Sequence, residues 1–383
     1  GRPDPAEAAL ERLAPFPFLD CAAPELLVDG DRTFEAIFEA IDAARRHVLV
    51  QFFIVRDDGL GRRLKERLCA RARQGVSVFF LYDRVGCRKL PRTYLDELAA
   101  AGVEVRAFEI VPPFARLLRL NYRNHRKLVV ADGTVAILGG PNVGDEYLGL
   151  DPRFGRWRDT AVRIGGSCAA AAEASFLEDW LWAGGTLPDE GPAAAAEPMP
   201  QPERIMILPT GPADPLPACT LALCHLAAEA RHRLWIATPY FVPDLDVLTA
   251  LKVAALRGVD VRILIPDRPD HTIVWLAAFA YAAEAQDAGI GLYRYRGGFL
   301  HQKVWLVDDR IAAVGTVNLD NRSLRQNFEI TALVVGGRFV AAVEAMLAAD
   351  FRESVPHDRD SRQARRLAVR LLAPAARLAG PLL

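Results

Sequence analysis

Two stretches of the chain decide its fold: NHRKLVVADGTVAILGGPN at residues 124–142 and LHQKVWLVDDRIAAVGTVN at residues 300–318. They align without a gap at a constant offset of 176 residues, and both carry a His, a Lys, an Asp, a Gly and an Asn at the same spacing. Each stretch predicts a strand, a tight turn at its acidic residue, and a second strand. A match of this kind indicates an internal duplication.

The same order of elements precedes each stretch. An apolar strand, a helix ending at a glycine, and a second apolar strand occur in both copies, which predicts buried sheets covered by helices. We therefore expect an α/β protein made of two similar α/β/α sandwich halves with mixed, largely parallel sheets, related by a pseudo-twofold axis with one active site at their seam. The predicted helices cover residues 59–74 and 245–257, and the second strands cover residues 76–83 and 259–267.

The length of 383 residues fits two domains better than one. A segment near the middle contains five prolines and an alanine run, which is typical of an extended linker. The expected division is a first half at residues 1–185, a linker at 186–204, a second half at 205–356, and a basic amphipathic tail at 357–383.

Composition excludes several classes of protein. Hydrophobic residues make up 51% and charged residues 25%, which excludes general disorder, and the net charge of -1 disfavours a nucleic-acid partner. The six cysteines are scattered without a CxxC pair, so we expect reduced, packed thiols and neither a cysteine-based zinc site nor a dense disulfide framework. No apolar run reaches the roughly 18 residues that span a bilayer.

Only five of the 47 basic residues are lysines, and two of these stand two positions after the histidines of the repeated stretches. Residues two apart on a strand point to the same face, so each His and Lys emerge together. A single HxK pair is usually structural, but two copies predict an anion site in which one His attacks phosphorus and the other protonates the leaving alkoxide. The expected catalytic residues are His125, Lys127, Asn142, His301, Lys303 and Asn318.

Four acidic residues accompany this set. Asp132 and Asp308 stand at hairpin turns, where an aspartate is usually a turn-former, so we expect them to be mainly structural. Asp159 and Glu329 begin the following strands, where they either bond the histidines and fix their tautomers or are solvated strand-end charges. The remaining motif positions are Gly139, Gly140, Gly315 and Thr316.

The doubled HxKx4Dx6G(G/S/T)xN motif resembles the phospholipase D superfamily. The strings RNHRK, GGPNVGDEY, WRDT, TPYFVPD and GTVNLDNRSLRQNFE are similar to those of its bacterial cardiolipin synthase branch, in a form without N-terminal transmembrane helices.

The resemblance implies phosphatidyl transfer without metal or cofactor, from phosphatidylglycerol to a second phospholipid through a phosphohistidine. It supports Asp159 and Glu329 as partners of the histidines, with His125 as nucleophile and His301 as general acid. It also implies a bacterial protein peripheral on the cytoplasmic face of the inner membrane. A phospholipase D-type hydrolysis of phospholipid, or less favourably of nucleic acid, with water as acceptor uses the same motifs and stays open as an alternative.

A peripheral enzyme must still contact lipid. Residues 359–383 and the loop at 112–120 interleave arginines with leucines, which favours contact with an anionic membrane surface. The alternative for both is a helix packed on the core with solvated arginines. The expected membrane-contact residues are Arg116, Leu117, Arg119, Arg365, Arg366 and Arg370.

Overall fold

The computed structural model describes residues 4–109, 122–187, 202–268 and 272–358. The local rules seen in the sequence hold in these ranges. Asp58 accepts a hydrogen bond from the Gly61 amide at the start of the predicted first helix, and this helix is followed by Gly75 at a φ of 88°. Two large sheets with helices on their faces confirm the α/β class.

The part of the chain before residue 183 contains the first repeated stretch. Its strands alternate with helices up to residue 108, and the later strands follow one another through short turns. The helices are α1 (Pro5–Glu11), α2 (Asp29–Ala43), α3 (Gly59–Arg73), α4 (Arg92–Ala100) and α5 (Ser167–Trp182), with a 3-10 turn at Asp145–Leu148. The strands are β1 (Leu19–Cys21), β2 (Glu25–Val28), β3 (His47–Phe52), β4 (Ser77–Asp83), β5 (Glu104–Phe108), β6 (Leu128–Ala131), β7 (Val135–Gly139), β8 (Trp157–Arg158) and β9 (Thr160–Gly165).

The part after residue 202 repeats this order. The helices are α6 (Ala218–Glu229), α7 (Leu245–Leu256), α8 (Thr272–Asp287), α9 (Asn321–Arg325) and α10 (Gly337–Arg352). The strands are β10 (Glu203–Thr210), β11 (Arg233–Ala237), β12 (Phe241–Val242), β13 (Asp260–Pro266), β14 (Gly291–Tyr295), β15 (Phe299–Leu300), β16 (Val304–Val307), β17 (Ile311–Gly315), β18 (Leu319–Asp320), β19 (Glu329–Val335) and β20 (Ser354–Pro356).

Both large sheets are mixed, as predicted. Their strand orders are β2-β9-β7-β6-β3-β4-β5 and β1-β10-β19-β17-β16-β11-β13-β14-β20. Only β3-β4-β5 and β11-β13-β14 are parallel, and every other neighbouring pair in these sheets is antiparallel. The prediction of largely parallel sheets is therefore wrong. Each repeated stretch forms a hairpin, β6-β7 or β16-β17, and β9 or β19 joins this hairpin antiparallel.

The two halves share a core between the sheets. Side chains of α5 and α10 lie there, together with inward-facing residues of both motif hairpins, such as Leu128 and Leu306. The helices α2, α3 and α4 cover the outer face of the first sheet, and α6, α7 and α8 cover the outer face of the second. Burial of α5 and α10 between the sheets fixes the halves against each other.

The N-terminal segment departs from the expected division. Strand β1 pairs antiparallel with β10 of the second sheet, so residues 19–21 complete the second half and not the first. The predicted linker also ends earlier than expected, because Glu203 and Arg204 already belong to β10. A boundary at residue 185 cannot be drawn by sequence order alone.

A disulfide joins Cys21 of β1 to Cys168 of α5 across a sequence separation of 147 residues. The expectation of reduced thiols is therefore wrong for this pair, since the exchange of β1 into the second sheet places it beside α5. The free cysteines are Cys69, Cys87, Cys219 and Cys224, and the first three are buried.

Candidate active site

Each motif histidine is held by the opposite half of the molecule. The His125 amide donates to the Phe328 carbonyl oxygen at 2.9 Å, and the His301 amide donates to the Arg158 carbonyl oxygen at 2.8 Å. Phe328 and Arg158 directly precede Glu329 and Asp159, the two acidic residues predicted as histidine partners. The two backbone hydrogen bonds are therefore equivalent under the pseudo-twofold axis that relates the halves.

The carboxylates follow the same crossed pattern. Nδ1 of His125 lies 2.9 Å and 3.0 Å from the two carboxylate oxygens of Glu329, and Nδ1 of His301 lies 2.8 Å from Oδ2 of Asp159. Both acidic side chains are completely buried. A carboxylate at Nδ1 keeps the proton on that nitrogen, so the lone pair of each neutral ring lies on Nε2.

The charges of this buried cluster decide its protonation. Burial lowers the pKa of His125 and of His301 to about 4, although the neighbouring carboxylates act in the opposite direction. Burial by itself raises the pKa of Glu329, but His125 and Lys127 outweigh it and the pKa lies below its usual value. At neutral pH the site therefore presents two neutral imidazoles, each bonded to an ionised carboxylate.

The two lysines lie beside the histidines, as their spacing predicts. Nζ of Lys127 donates to the carbonyl oxygen of His125 at 2.6 Å, and burial holds the pKa of Lys127 well below its usual value. Nζ of Lys303 lies 2.8 Å from Nδ1 and 3.0 Å from Nε2 of His301. Two buried lysine side chains next to the histidine residues suit a phosphodiester, whose negative charge favours their ammonium forms.

The two asparagines differ. Oδ1 of Asn142 accepts from the Ile54 amide at 3.0 Å, and its Nδ2 donates to the Tyr147 hydroxyl at 3.0 Å. Asn318 is also buried, but its Oδ1 finds no hydrogen-bond partner in the described ranges. The two amides are therefore fixed differently, although the sequence motif treats them alike.

The motif aspartates anchor turns. Asp132 and Asp308 have φ values of 55° and 50°. Asp132 accepts from the backbone amides of Arg45, Arg46 and His47. Asp308 does the same for residues 231–233. Each carboxylate thus joins the motif hairpin to the start of the neighbouring strand, β3 or β11.

Small residues at the end of each motif let the acidic groups approach. A Cβ at Gly140 would lie 1.9 Å from Oδ1 of Asp159, and one at Gly315 would lie 2.5 Å from the Ile330 carbonyl oxygen. Gly139 is equally close-packed, since its Cβ would lie 2.4 Å from the backbone of β9. At the position that matches Gly140, Thr316 donates its hydroxyl to Glu329 at 2.6 Å.

Aromatic rings that sequence reasoning did not identify surround the histidines. Phe53 packs edge-on against His125 at 5.0 Å between ring centroids, and Trp157 lies 5.2 Å from His301. Phe299 and Tyr147 each lie 6.2 Å from His301. The only available signal was position, because Trp157 opens the string that contains Asp159 and Phe299 precedes the second motif.

The remaining predictions fall outside this cluster. The described residues contain no group of His, Cys, Asp or Glu side chains arranged to hold a metal ion. None of the helices within them is long and apolar enough to cross a bilayer. The expected membrane-contact residues lie outside the described ranges: Arg116, Leu117, Arg119, Arg365, Arg366 and Arg370.

Comparisons with known proteins identify the family of this chain. A family model described as "Cardiolipin synthase, PLD-like domain" matches residues 37–179 and 223–351. Cardiolipin synthase A of Pseudomonas entomophila (strain L48) is 48% identical over 380 residues, covering 98% of this chain and 78% of that protein. Cardiolipin synthase A of Pseudomonas aeruginosa (strain LESB58) is 47% identical over 377 residues, covering 98% of this chain and 76% of that protein.

Solved structures show the same fold at low sequence identity. A phosphatidylserine synthase from Haemophilus influenzae Rd KW20 matches with a TM-score of 0.73 and 17% identity, covering 99% of this chain and all of that one. A polyphosphate kinase from Porphyromonas gingivalis matches with a TM-score of 0.59 and 14% identity, covering 93% of this chain and 53% of that one.

Proposed function

The chain belongs to the cardiolipin synthase family of phospholipase D-like proteins, and from this membership we propose that it is a phosphatidyltransferase. It makes cardiolipin from phosphatidylglycerol and a second phospholipid through a covalent phosphohistidine. The observation that carries the proposal is the crossed arrangement, in which each histidine forms a hydrogen bond with a buried carboxylate of the other half.

In the first half-reaction, His125 attacks the phosphorus of phosphatidylglycerol. Its Nδ1–H donates to Glu329, which directs the Nε2 lone pair towards the substrate and stabilises the positive ring formed on attack. The bond between phosphorus and the glycerol oxygen breaks, and protonated His301 gives its proton to the leaving alkoxide.

Binding of the substrate promotes the protonation of His301. Burial keeps the pKa of His301 at about 4 in the free enzyme. A phosphodiester brings negative charge beside the ring and raises that pKa towards the working range. Lys127 and Lys303 neutralise the remaining charge on the phosphoryl oxygens.

In the second half-reaction, the neutral His301 takes the proton of the acceptor's hydroxyl. The resulting oxygen attacks phosphorus, and the bond between phosphorus and Nε2 of His125 breaks. Microscopic reversibility assigns both proton transfers to one residue, because the leaving group and the acceptor are both alcohols. Water in place of the acceptor yields phosphatidic acid.

Incubation of the pure protein with phosphatidylglycerol vesicles, followed by mass spectrometry of the lipids, tests the proposal. We expect cardiolipin and free glycerol, with and without a chelator, and no product from His125→Asn. The exposed His232→Asn variant is the matched control and retains the activity. Phosphatidic acid as the main product means hydrolysis, and the absence of any product contradicts an enzymatic role.

We propose that the enzyme reaches its substrates by contact with an anionic membrane surface. Two basic and apolar segments support this, with Arg116, Leu117 and Arg119 in one and Arg365, Arg366 and Arg370 in the other. Each arginine near such a surface contributes about 1 kcal/mol, which salt screens. Removal of residues 359–383 should weaken flotation with anionic vesicles more than it slows turnover of detergent-dispersed lipid. Equal flotation of both proteins contradicts the role of this segment.

The face of the membrane is a separate matter. The family resemblance favours the cytoplasmic face, whereas a disulfide between Cys21 and Cys168 is typical of an oxidising compartment. Both thiols are buried, so cells are quenched in acid and the protein is alkylated in denaturant, before and after reduction, to separate the two. Labelling of both cysteines without prior reduction supports the cytoplasmic face, and labelling only after reduction supports the outer face.

A further inference from the structure

Arg126 lies between the first motif histidine and lysine, and its side chain is only 3% exposed. Its side chain extends into the seam between the two halves. Its Nε donates to the Glu329 carbonyl oxygen at 3.0 Å, and its Nη2 donates to the Thr210 carbonyl oxygen at 3.2 Å. Both acceptors belong to the second half, so the guanidinium joins the halves at the residue whose carboxylate bonds His125.

A buried ion pair holds this guanidinium in place. Nη1 of Arg126 lies 2.9 Å from Oδ2 of Asp179 on α5. The same oxygen accepts from Gln51 at 2.6 Å and from Asn124 at 2.8 Å. Asp179 therefore receives donors from three directions and fixes the direction in which Arg126 reaches.

The second half-site has a buried arginine in a different sequence position. Gln302 occupies the place between His301 and Lys303, and the arginine is instead Arg158, directly before Asp159. Arg158 forms a two-point ion pair with Asp350 of α10, at 2.8 Å and 3.0 Å.

Arg158 is connected to Asp159 through Asp29. Its Nη1 donates to Oδ1 of Asp29 at 2.8 Å. The backbone of Asp29 pairs with that of Asp159, since the Asp29 amide donates to the Asp159 carbonyl oxygen at 2.9 Å. Each histidine's carboxylate thus has one buried arginine that holds its backbone.

We propose that Arg126 and Arg158 are positioning residues, each of which holds one carboxylate of the crossed pairs on Nδ1 of its histidine: Arg126 for Glu329 and His125, Arg158 for Asp159 and His301. The assignment of a catalytic consequence rests on the proposed function. The structural part does not, because it concerns the hydrogen bond at Nδ1.

The test uses variants that preserve the net charge of the buried cluster but remove the contacts of the guanidinium. Arg126→Lys retains a cation beside Asp179, but its compact ammonium cannot replace the planar group that reaches Glu329 and Thr210 together. Arg126→Met/Asp179→Asn removes the ion pair without leaving an unpaired buried charge and keeps an acceptor for Gln51 and Asn124. Arg153→Gln, at an exposed arginine, is the control.

The first readout is the imidazole Nδ1–H resonance in protein labelled with 15N-histidine. A proton shared with a carboxylate gives a downfield signal, and His125→Asn and His301→Asn assign the two signals. We expect Arg126→Lys to shift or broaden the His125 signal and leave that of His301 unchanged, and Arg158→Lys to do the reverse. Both signals unchanged in both variants, with the fold intact, overturn the proposal.

The second readout is turnover. Loss of a group that orients a catalytic residue lowers activity by about 10–100-fold. We expect this fall in kcat, with KM changed less than about twofold, in Arg126→Lys and in Arg126→Met/Asp179→Asn. If Arg126 only stabilises the fold, a variant that keeps wild-type thermal stability also keeps wild-type kcat. That result contradicts positioning. If the wild type makes no cardiolipin, the proposed function fails, and the two resonances still decide the positioning roles.

Discussion

The negative charge of Glu329 can be removed with little change in the shape of the site. Its two oxygens accept from His125 at 2.9 Å and 3.0 Å, from the Thr316 hydroxyl at 2.6 Å and from Asn327 at 3.2 Å. In Glu329→Gln the amide oxygen can take the place beside Asn327. The new amino group then faces Thr316, whose hydroxyl can turn to the Ile330 carbonyl oxygen at 3.3 Å. The shape of the site is kept and its charge is lost.

The expected effect follows from the type of hydrogen bond. A bond to a charged acceptor contributes about 1.5–3 kcal/mol, and a neutral one about 1 kcal/mol. The glutamine variant therefore loses about 0.5–2 kcal/mol of stabilisation of the positively charged His125 ring, or about 2–30-fold in kcat. Glu329→Ala removes the whole bond and should lose about 10–150-fold.

The assay is steady-state formation of cardiolipin from phosphatidylglycerol in mixed micelles, with circular dichroism as the check on folding. Glu97→Gln is the matched control, because Glu97 lies on the surface and pairs with Lys65. The order wild type, glutamine, alanine in falling kcat supports the account. Wild-type kcat in both folded variants of Glu329 refutes the orienting role of this carboxylate.

Three further outcomes are expected. Because the first step needs a neutral His125 and a protonated His301, and the pKa of both is about 4 in the free enzyme, kcat/KM should fall about tenfold per pH unit as the pH rises from about 5 to neutral; a constant kcat/KM over this range contradicts this. Gly140→Ala should lower kcat in a folded protein, because its Cβ displaces the carboxylate of Asp159, and unchanged kcat contradicts that contact. Replacement of Cys21 and Cys168 by alanine should lower the free energy of unfolding by about 2–5 kcal/mol in chemical denaturation under oxidising conditions, and an unchanged midpoint contradicts the bond.

The sequence predicted the duplication because its signals are local. The spacing of His, Lys and Asp in each stretch depends on one hairpin, and the helix ends at Gly75 and Gly258 depend on one turn each. Both glycines have positive φ, at 88° and 90°. Local rules of this kind need no knowledge of the partner element.

Local rules could not predict which carboxylate contacts which histidine. Glu329 follows the second motif in the chain and Asp159 follows the first, so proximity in sequence favours the wrong pairing of acid and histidine. The actual pairing arises because the segment before each histidine adds to the strand of the opposite half, as β15 adds to β8. Only the arrangement of the two halves determines that contact.

The same limit explains the N-terminal error. Strand β1 has three residues, and nothing in them distinguishes the edge of the second sheet from the edge of the first. The disulfide depends on this long-range choice, as does the position of Cys21. Short edge strands carry too little apolar pattern to fix their partner from sequence.

The residue that carries the covalent intermediate can be identified directly. The His301→Asn variant, mixed with a phosphatidyl donor that carries a good leaving group, should accumulate the adduct, because the leaving group needs no proton and the acceptor's hydroxyl lacks its base. Mass spectrometry of the acid-sensitive adduct, quenched at high pH and digested, should place it on His125. An adduct on another residue, or rapid turnover by the His125→Asn variant with the same donor, would contradict the account.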